Sequence, residues 1–144
     1  MLLKKIVFVL TALLFLTPAI AKKKEEFFIT MNKVKVSFML DEKGTPLYTI
    51  SYSDKPVIKP SQMGFIFSNN DNFNSGFELT GSDKNSVDET WKPVWGEVSS
   101  IRNHYEQVIF HLKQTSTKRL LDIDFKVYED GVGFRYEFPL QPNL

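Results

Sequence analysis

Apolar and polar residues alternate over Lys33–Leu40. Val34, Val36, Phe38 and Leu40 share one face, and Lys33, Lys35 and Ser37 share the other. Period two over this length predicts a half-buried strand. Asp41-Glu42-Lys43-Gly44 predicts a turn, with Gly44 free to take a positive φ. Leu47–Ser53 returns with Tyr48, Ile50 and Tyr52 on one face, which completes a hairpin. Asp54-Lys55-Pro56 turns the chain again, and the apolar pair Val57-Ile58 between two prolines predicts an edge strand or connector. Gly64–Phe67 (GFIF) is a further short strand. Ser68–Gly76 is amide-rich around a lone Phe73, which predicts a loop, either a solvated connector or a rim over a ligand. Phe77–Thr80 predicts a short strand, and Gly81–Asp88 carries turn chemistry.

The second half repeats the alternation. Over Glu106–Lys113, Val108, Phe110 and Leu112 face inward. Gln107, Ile109, His111 and Lys113 face outward, which makes His111 an exposed strand residue. Gln114–Lys118 predicts a turn. Leu121, Ile123, Phe125 and Val127 then alternate against Asp122, Asp124, Lys126 and Tyr128. Glu129-Asp130-Gly131 predicts a tight hairpin turn. Val132, Phe134, Tyr136 and Phe138 complete that pair. No stretch after the leader shows a helical period. The fold class is all-β, an antiparallel β-sandwich of about eight strands.

Composition changes the picture at the N-terminus. Lys4-Lys5, the apolar run Ile6–Leu16 and the small residues Ala19 and Ala21 have the pattern of a secretory signal peptide, cleaved after Ala21. The apolar run is too short to span a bilayer, which takes about 20 residues. The domain organisation is therefore a signal peptide over 1–21 and one β-sandwich domain over 22–144. Export is expected, to the periplasm rather than the medium, with no membrane association after cleavage. Two of the 18 basic residues leave with the leader, against 17 acids. The near-zero balance offers no basic face for a nucleic-acid partner. Lys22-Lys23-Lys24 is balanced by Glu25-Glu26 and predicts a solvated leader. Cysteine is absent from the sequence, so the exported domain relies on its core rather than on disulfides.

Candidate chemistry concentrates in Asp88–Glu106, DETWKPVWGEVSSIRNHYE, which holds both tryptophans. Flat aromatic faces beside planar polar groups suit a pyranose ring, and Trp91, Trp95, Arg102, Asn103, His104 and Tyr105 are the candidate substrate-binding residues. Asn103 and His104 would serve sugar hydroxyls and the aromatics would stack. Tryptophans in β-domains also serve as core or hairpin anchors. Pro93 holds Lys92 extended, placing both tryptophans on an irregular strand or loop, and Gly96 permits a bulge. Asp88 or Glu89 with Glu97 is the best-placed carboxyl pair for glycoside hydrolysis, although neighbouring acids commonly form a solvated loop. Asp122 and Asp124 share a strand face, but calcium takes six to eight oxygens and no loop supplies the others. No catalytic residue and no metal ligand is assigned.

"ETWKPVWGE" followed by "IRNHY", with "YTISYSDKPVI" and "GFIF" upstream and "FKVYEDGVGFRYEFP" downstream, resembles the N-terminal domain of glycoside hydrolase family 97. The resemblance covers about Lys33 to Pro139. It implies a large two-sheet sandwich of the galactose-mutarotase kind, incomplete here, in a bacterial enzyme acting on α-linked glucose or galactose. It further implies that the catalytic carboxylates lie on a C-terminal (β/α)₈ barrel, that this domain walls the sugar pocket, and that the full-length enzyme uses calcium. By that standard the chain is the front part of the domain, a truncation or a fragment, and its last hairpin carries an uncovered apolar face and edge. Two rival readings are a free-standing periplasmic carbohydrate-binding module and a non-functional remnant.

Overall fold

The alternating runs pair into hairpins because each buries one face while satisfying its backbone through its neighbour. The computed structural model describes residues 25–68 and 72–142. The signal peptide expected over 1–21 falls outside the described residues. The described residues form ten strands: β1 (Glu26–Met31), β2 (Val34–Leu40), β3 (Pro46–Tyr52), β4 (Lys55–Gln62), β5 (Phe65–Ile66), β6 (Asn72–Phe73), β7 (Phe77–Trp91), β8 (Ile101–Gln114), β9 (Leu120–Val127) and β10 (Val132–Glu137). No helix occurs among the described residues. Two four-stranded antiparallel sheets, β1-β2-β3-β4 and β10-β9-β8-β7, form the sandwich, and β5-β6 is a two-stranded ribbon.

The inward faces interlock. Phe38 of the first sheet stacks on Phe110 of the second, with ring centroids 4.1 Å apart and planes 18° apart. Both rings are fully buried, as are Val36, Leu121, Ile123, Phe125 and Val127. A second aromatic group joins the ribbon to β7 and β10: Phe65 lies 4.5 Å from Tyr136, and Phe73 lies 5.2 Å from Phe77. The Tyr136 hydroxyl accepts from the Gly64 amide at 3.0 Å. Gly44 fastens the two sheets. It sits at φ +69, and any Cβ there would collide with the Phe77 backbone. Gly76 N donates to Lys43 O at 2.8 Å and Phe77 N donates to Gly44 O at 2.9 Å.

Several elements differ from the sequence expectation. A strand not expected from sequence, β1, starts at Glu26 where the expected solvated leader ends, and its Ile29 and Met31 enter the core. The Val57-Ile58 pair belongs to a longer strand, β4, at the edge of its sheet, where its prolines withhold no ladder donor from an inner neighbour. The turn before β4 is Ser53-Asp54, both with positive φ. Phe73 is not part of a solvated loop; it is fully buried. Gly81–Asp88 is not a turn but the middle of β7. A bulge between Leu79 and Gly81 shifts the register there, and this reverses the side-chain alternation. Ser82 therefore faces Phe110, and Asp83 lies on the outer face opposite Ile109.

Two outward polar residues are not simply exposed. Asp124 is buried, receiving Gln107 Nε2 at 2.9 and 3.0 Å and pairing with Arg135 Nε at 3.1 Å. His111 is half-buried between Asp122 (Nδ1 to Oδ1, 2.9 Å) and Asp83 (Nε2 to Oδ2, 3.1 Å). Its pKa is raised, chiefly by the hydrogen bond to Asp122 and further by Asp83, against the opposing effect of burial. Strand β10 lies at the sheet edge, with Phe134 and Phe138 partly exposed.

Candidate functional site: a projecting hairpin

Strands β7 and β8 pair from Phe77–Gln114 out to Trp91–Ile101, but β9 accompanies β8 only as far as Glu106. The five pairs from Val87–Tyr105 to Trp91–Ile101 therefore form a two-stranded arm beyond the third strand, about 17 Å long at the usual rise per residue. None of the described residues covers its end. Val94 is 99% exposed and Trp95 is 88% exposed, and Trp91 and Val98 are also largely open. The loop between the strands holds Pro93 and Gly96, the latter at φ +138. The bulge expected beside Trp95 does not form: Gly96 lies in the loop, outside the β7–β8 ladder.

Alternation divides the candidate residues between the two faces of the arm. Trp91, Asn103 and Tyr105 lie on one face, with Glu89 and Ile101; Arg102 and His104 lie on the other, with Asp88. Trp95 stands at the tip. Most of the polar candidates are engaged inside the arm. Arg102 grips Asp88 with two bonds, Nε to Oδ1 and Nη2 to Oδ2, each 2.7 Å. That fork lowers the Asp88 pKa and raises that of Arg102. Asn103 Nδ2 donates to Glu89 Oε1 at 2.7 Å, and Ser86 Oγ donates to Glu106 Oε1 at 2.7 Å. These cross-strand pairs staple a ribbon that has no core beneath it. Tyr105 is buried under Lys126, whose Nζ lies 4.4 Å from the ring centroid and donates to the hydroxyl at 3.2 Å. The carboxyl pair considered from sequence is thus divided among structural partners, Asp88 with Arg102 and Glu89 with Asn103.

Three candidates remain uncommitted: the Trp91 and Trp95 rings and the His104 imidazole. His104 Nδ1 is buried without a hydrogen bond and lies 3.7 Å from Glu129 Oε1, beyond hydrogen-bond length. A buried polar atom left so costs about 1–3 kcal/mol. His104 borders a depression of about 280 Å³ together with Arg102, Tyr128, Glu129 and Asp130. Sequence reading took 129–131 only as a hairpin turn. The signal that could have found them is the β8–β9 register, which sets Val127 opposite Glu106 and brings the turn beside His104.

Among the described residues no group of three or more His, Cys, Asp or Glu side chains could hold a metal ion. The Asp122 and Asp124 carboxylates are taken by His111, Gln107 and Arg135.

The described residues form an all-β antiparallel sandwich from which a tryptophan-tipped hairpin projects. Residues 31–144 match the glycosyl-hydrolase 97 N-terminal family, and the chain belongs to it. It is 23% identical over 133 residues to a retaining alpha-galactosidase of Bacteroides thetaiotaomicron, covering 92% of this chain and 19% of that protein. A glycoside hydrolase family 97 enzyme from Pseudoalteromonas sp. strain K8, solved with panose and with acarbose, superposes with a TM-score of 0.71 at 32% identity, covering 78% of this chain and 17% of that one. A beta-arabinopyranosidase structure shares the fold at a TM-score of 0.68 and 24% identity, covering 76% of this chain and 17% of that one. The chain spans under a fifth of the length of these relatives.

Proposed function

We propose that this chain is the non-catalytic N-terminal sandwich of an exported α-glycoside hydrolase, acting on α-linked glucose or galactose, and that its β7–β8 arm docks on the catalytic domain and walls the sugar pocket. The observation that carries this is the arm's tip. An apolar loop with Val94 and Trp95 almost fully exposed is costly to leave in water. A tryptophan flanked by apolar residues has the composition of an interface anchor. The Arg102–Asp88 ion pair and the Asn103–Glu89 hydrogen bond tie the two strands of the arm together, so the tip is presented beyond the sandwich. Small-ligand sites commonly lie between domains. The relatives' alpha-galactosidase activity and complexes with panose and acarbose support a sugar-pocket role.

The test is Trp95→Ala in the enzyme that carries the catalytic domain. Loss of an interface anchor predicts weaker domain association by about 2 kcal/mol, roughly thirtyfold, and a lower kcat/KM on α-glucosides or α-galactosides. Unchanged association and kcat/KM would exclude the arm as a docking element. A sugar response in the chain by itself, with no effect of the catalytic domain, would favour a free-standing binding module.

A further inference from the structure

Strand β7 is held lightly where it passes the Leu79/Gly81 bulge. From Thr80 to Asn85 every residue is exposed except the half-buried Gly81. The bulge interrupts the ladder there, and Thr80 Oγ1 donates to His111 O at 3.0 Å. The His111 side chain spans the same place. Its Nε2 meets Asp83 Oδ2 on β7 at 3.1 Å, and its Nδ1 meets Asp122 Oδ1 on β9 at 2.9 Å. Carboxylates only accept. A neutral imidazole carries one N–H and can donate to one of them, so holding both takes the imidazolium.

The two carboxylates are unequal. Asp122 is the nearer and its side chain is 17% exposed, whereas that of Asp83 is 78% exposed. A hydrogen bond away from water is electrostatically the stronger, so a ring left with one proton keeps it on Nδ1. The other charges on this face preserve that order. On β8, Lys113 stands opposite Glu78 of β7. On β9, Asp124 is held by Gln107 and Arg135. On β10, Glu137 lies opposite Asp122 and is paired with Arg135.

We propose that Asp83, His111 and Asp122 form a proton-operated latch: the imidazolium ties β7 to β9 across β8, and loss of its Nε2 proton releases Asp83 while Asp122 keeps the ring. The proton passes to solvent, Nδ1–H stays on Asp122, and the bare Nε2 lone pair then faces the Asp83 carboxylate, which turns into water. The raised His111 pKa sets the direction. The latch is closed in acid and opens as pH rises through the folded value. Beyond Asp83 the strand continues into the arm, so the latch sits at the arm's root. It goes beyond the docking reading and stands without it.

Two measurements on the full chain test it. The sequence contains two histidines, His104 and His111, so long-range ¹H–¹⁵N NMR of the imidazoles reads the tautomer, with His111→Asn assigning the signals. Neutral His111 is expected in the Nδ1–H form. Amide hydrogen exchange then compares the natural chain with Asp83→Ala, a change at an exposed position, at Gly81 and at Ile109, the ladder partner of Asp83. Below the His111 midpoint Asp83→Ala is expected to speed exchange by roughly twofold to fivefold, the range of an exposed ion pair. Above the midpoint the difference should vanish. Asp122→Asn should place the neutral ring's proton on Nε2 and keep β7 protected at high pH. An Nε2–H tautomer in the natural chain, an exchange difference that persists above the midpoint or is absent below it, or an Asp122→Asn chain that still loses protection would each overturn the latch.

Discussion

Replacing Phe110 by alanine removes the ring on which the two sheets meet. Phe110 is fully buried, stacks on Phe38 at 4.1 Å, meets Phe27 edge-on at 5.5 Å and lies 6.1 Å from Phe125. Truncating a buried phenylalanine costs about 3–5 kcal/mol, and the loss belongs at the upper end because the ring touches both layers. A domain of this size holds only about 5–15 kcal/mol in total, so Phe110→Ala brings the chain close to unfolding at room temperature. The assay is urea denaturation followed by near-UV circular dichroism, at constant m-value. Ile109→Ala, on the outer face of the same strand, is the control and should cost less than about 1.5 kcal/mol. The double mutant Phe38→Ala/Phe110→Ala should show a coupling of about 0.5–1.5 kcal/mol for the stacked pair. A Phe110→Ala loss below about 1.5 kcal/mol, or equal losses at 109 and 110, would refute the face-to-face packing.

Other outcomes follow from single sites. Because His111 has its pKa raised by Asp122 and Asp83, its contribution is fully present below the unfolded value of about 6.5. It is lost as pH rises through the higher folded value; His111→Asn should flatten that part of the stability–pH curve, measured by urea midpoints. Buried Arg119 donates from Nη2 to Gln114 Oε1 at 3.0 Å and stacks over Phe73 at 4.8 Å; Arg119→Ala should cost about 2–3 kcal/mol, with faster proteolysis of the 68–76 segment. Gly44→Ala meets both a positive φ and the Phe77 backbone, so its thermal midpoint should fall by several degrees, for a cost above about 1 kcal/mol.

Most of the sandwich was legible because its strands obey period two with one face buried: Val34–Leu40, Val108–Leu112 and Leu121–Val127 each announce their own inward face. The failures have physical causes. Strand β1 hides behind the Lys-Glu run, although Phe27, Ile29 and Met31 alternate inward. Strand β7 loses its phase at the Leu79/Gly81 bulge and then runs where neither face is buried, so its ladder with β8 leaves no hydrophobic trace. Phe73 sits among amides yet fills the core; Asp124 is buried because Gln107, 17 residues away, satisfies it, and Arg119 because the turn folds Gln114 and Thr117 back onto its guanidinium. At the candidate site the concentration of aromatic and polar residues was visible. Its division between two faces was not, because that depends on the register of Glu89 against Asn103. The contribution of Tyr128 and Glu129 depends on a third strand and could not be read from the motif.

The central claim is that the tip of the β7–β8 arm is an interface. Acrylamide quenching of tryptophan fluorescence tests it most directly, with Trp91→Phe isolating Trp95. Trp95 in the isolated chain should quench almost as freely as in a short peptide, and in the presence of the catalytic domain quenching should fall severalfold with a blue-shifted emission. Equal quenching and unshifted emission in both states would contradict the account.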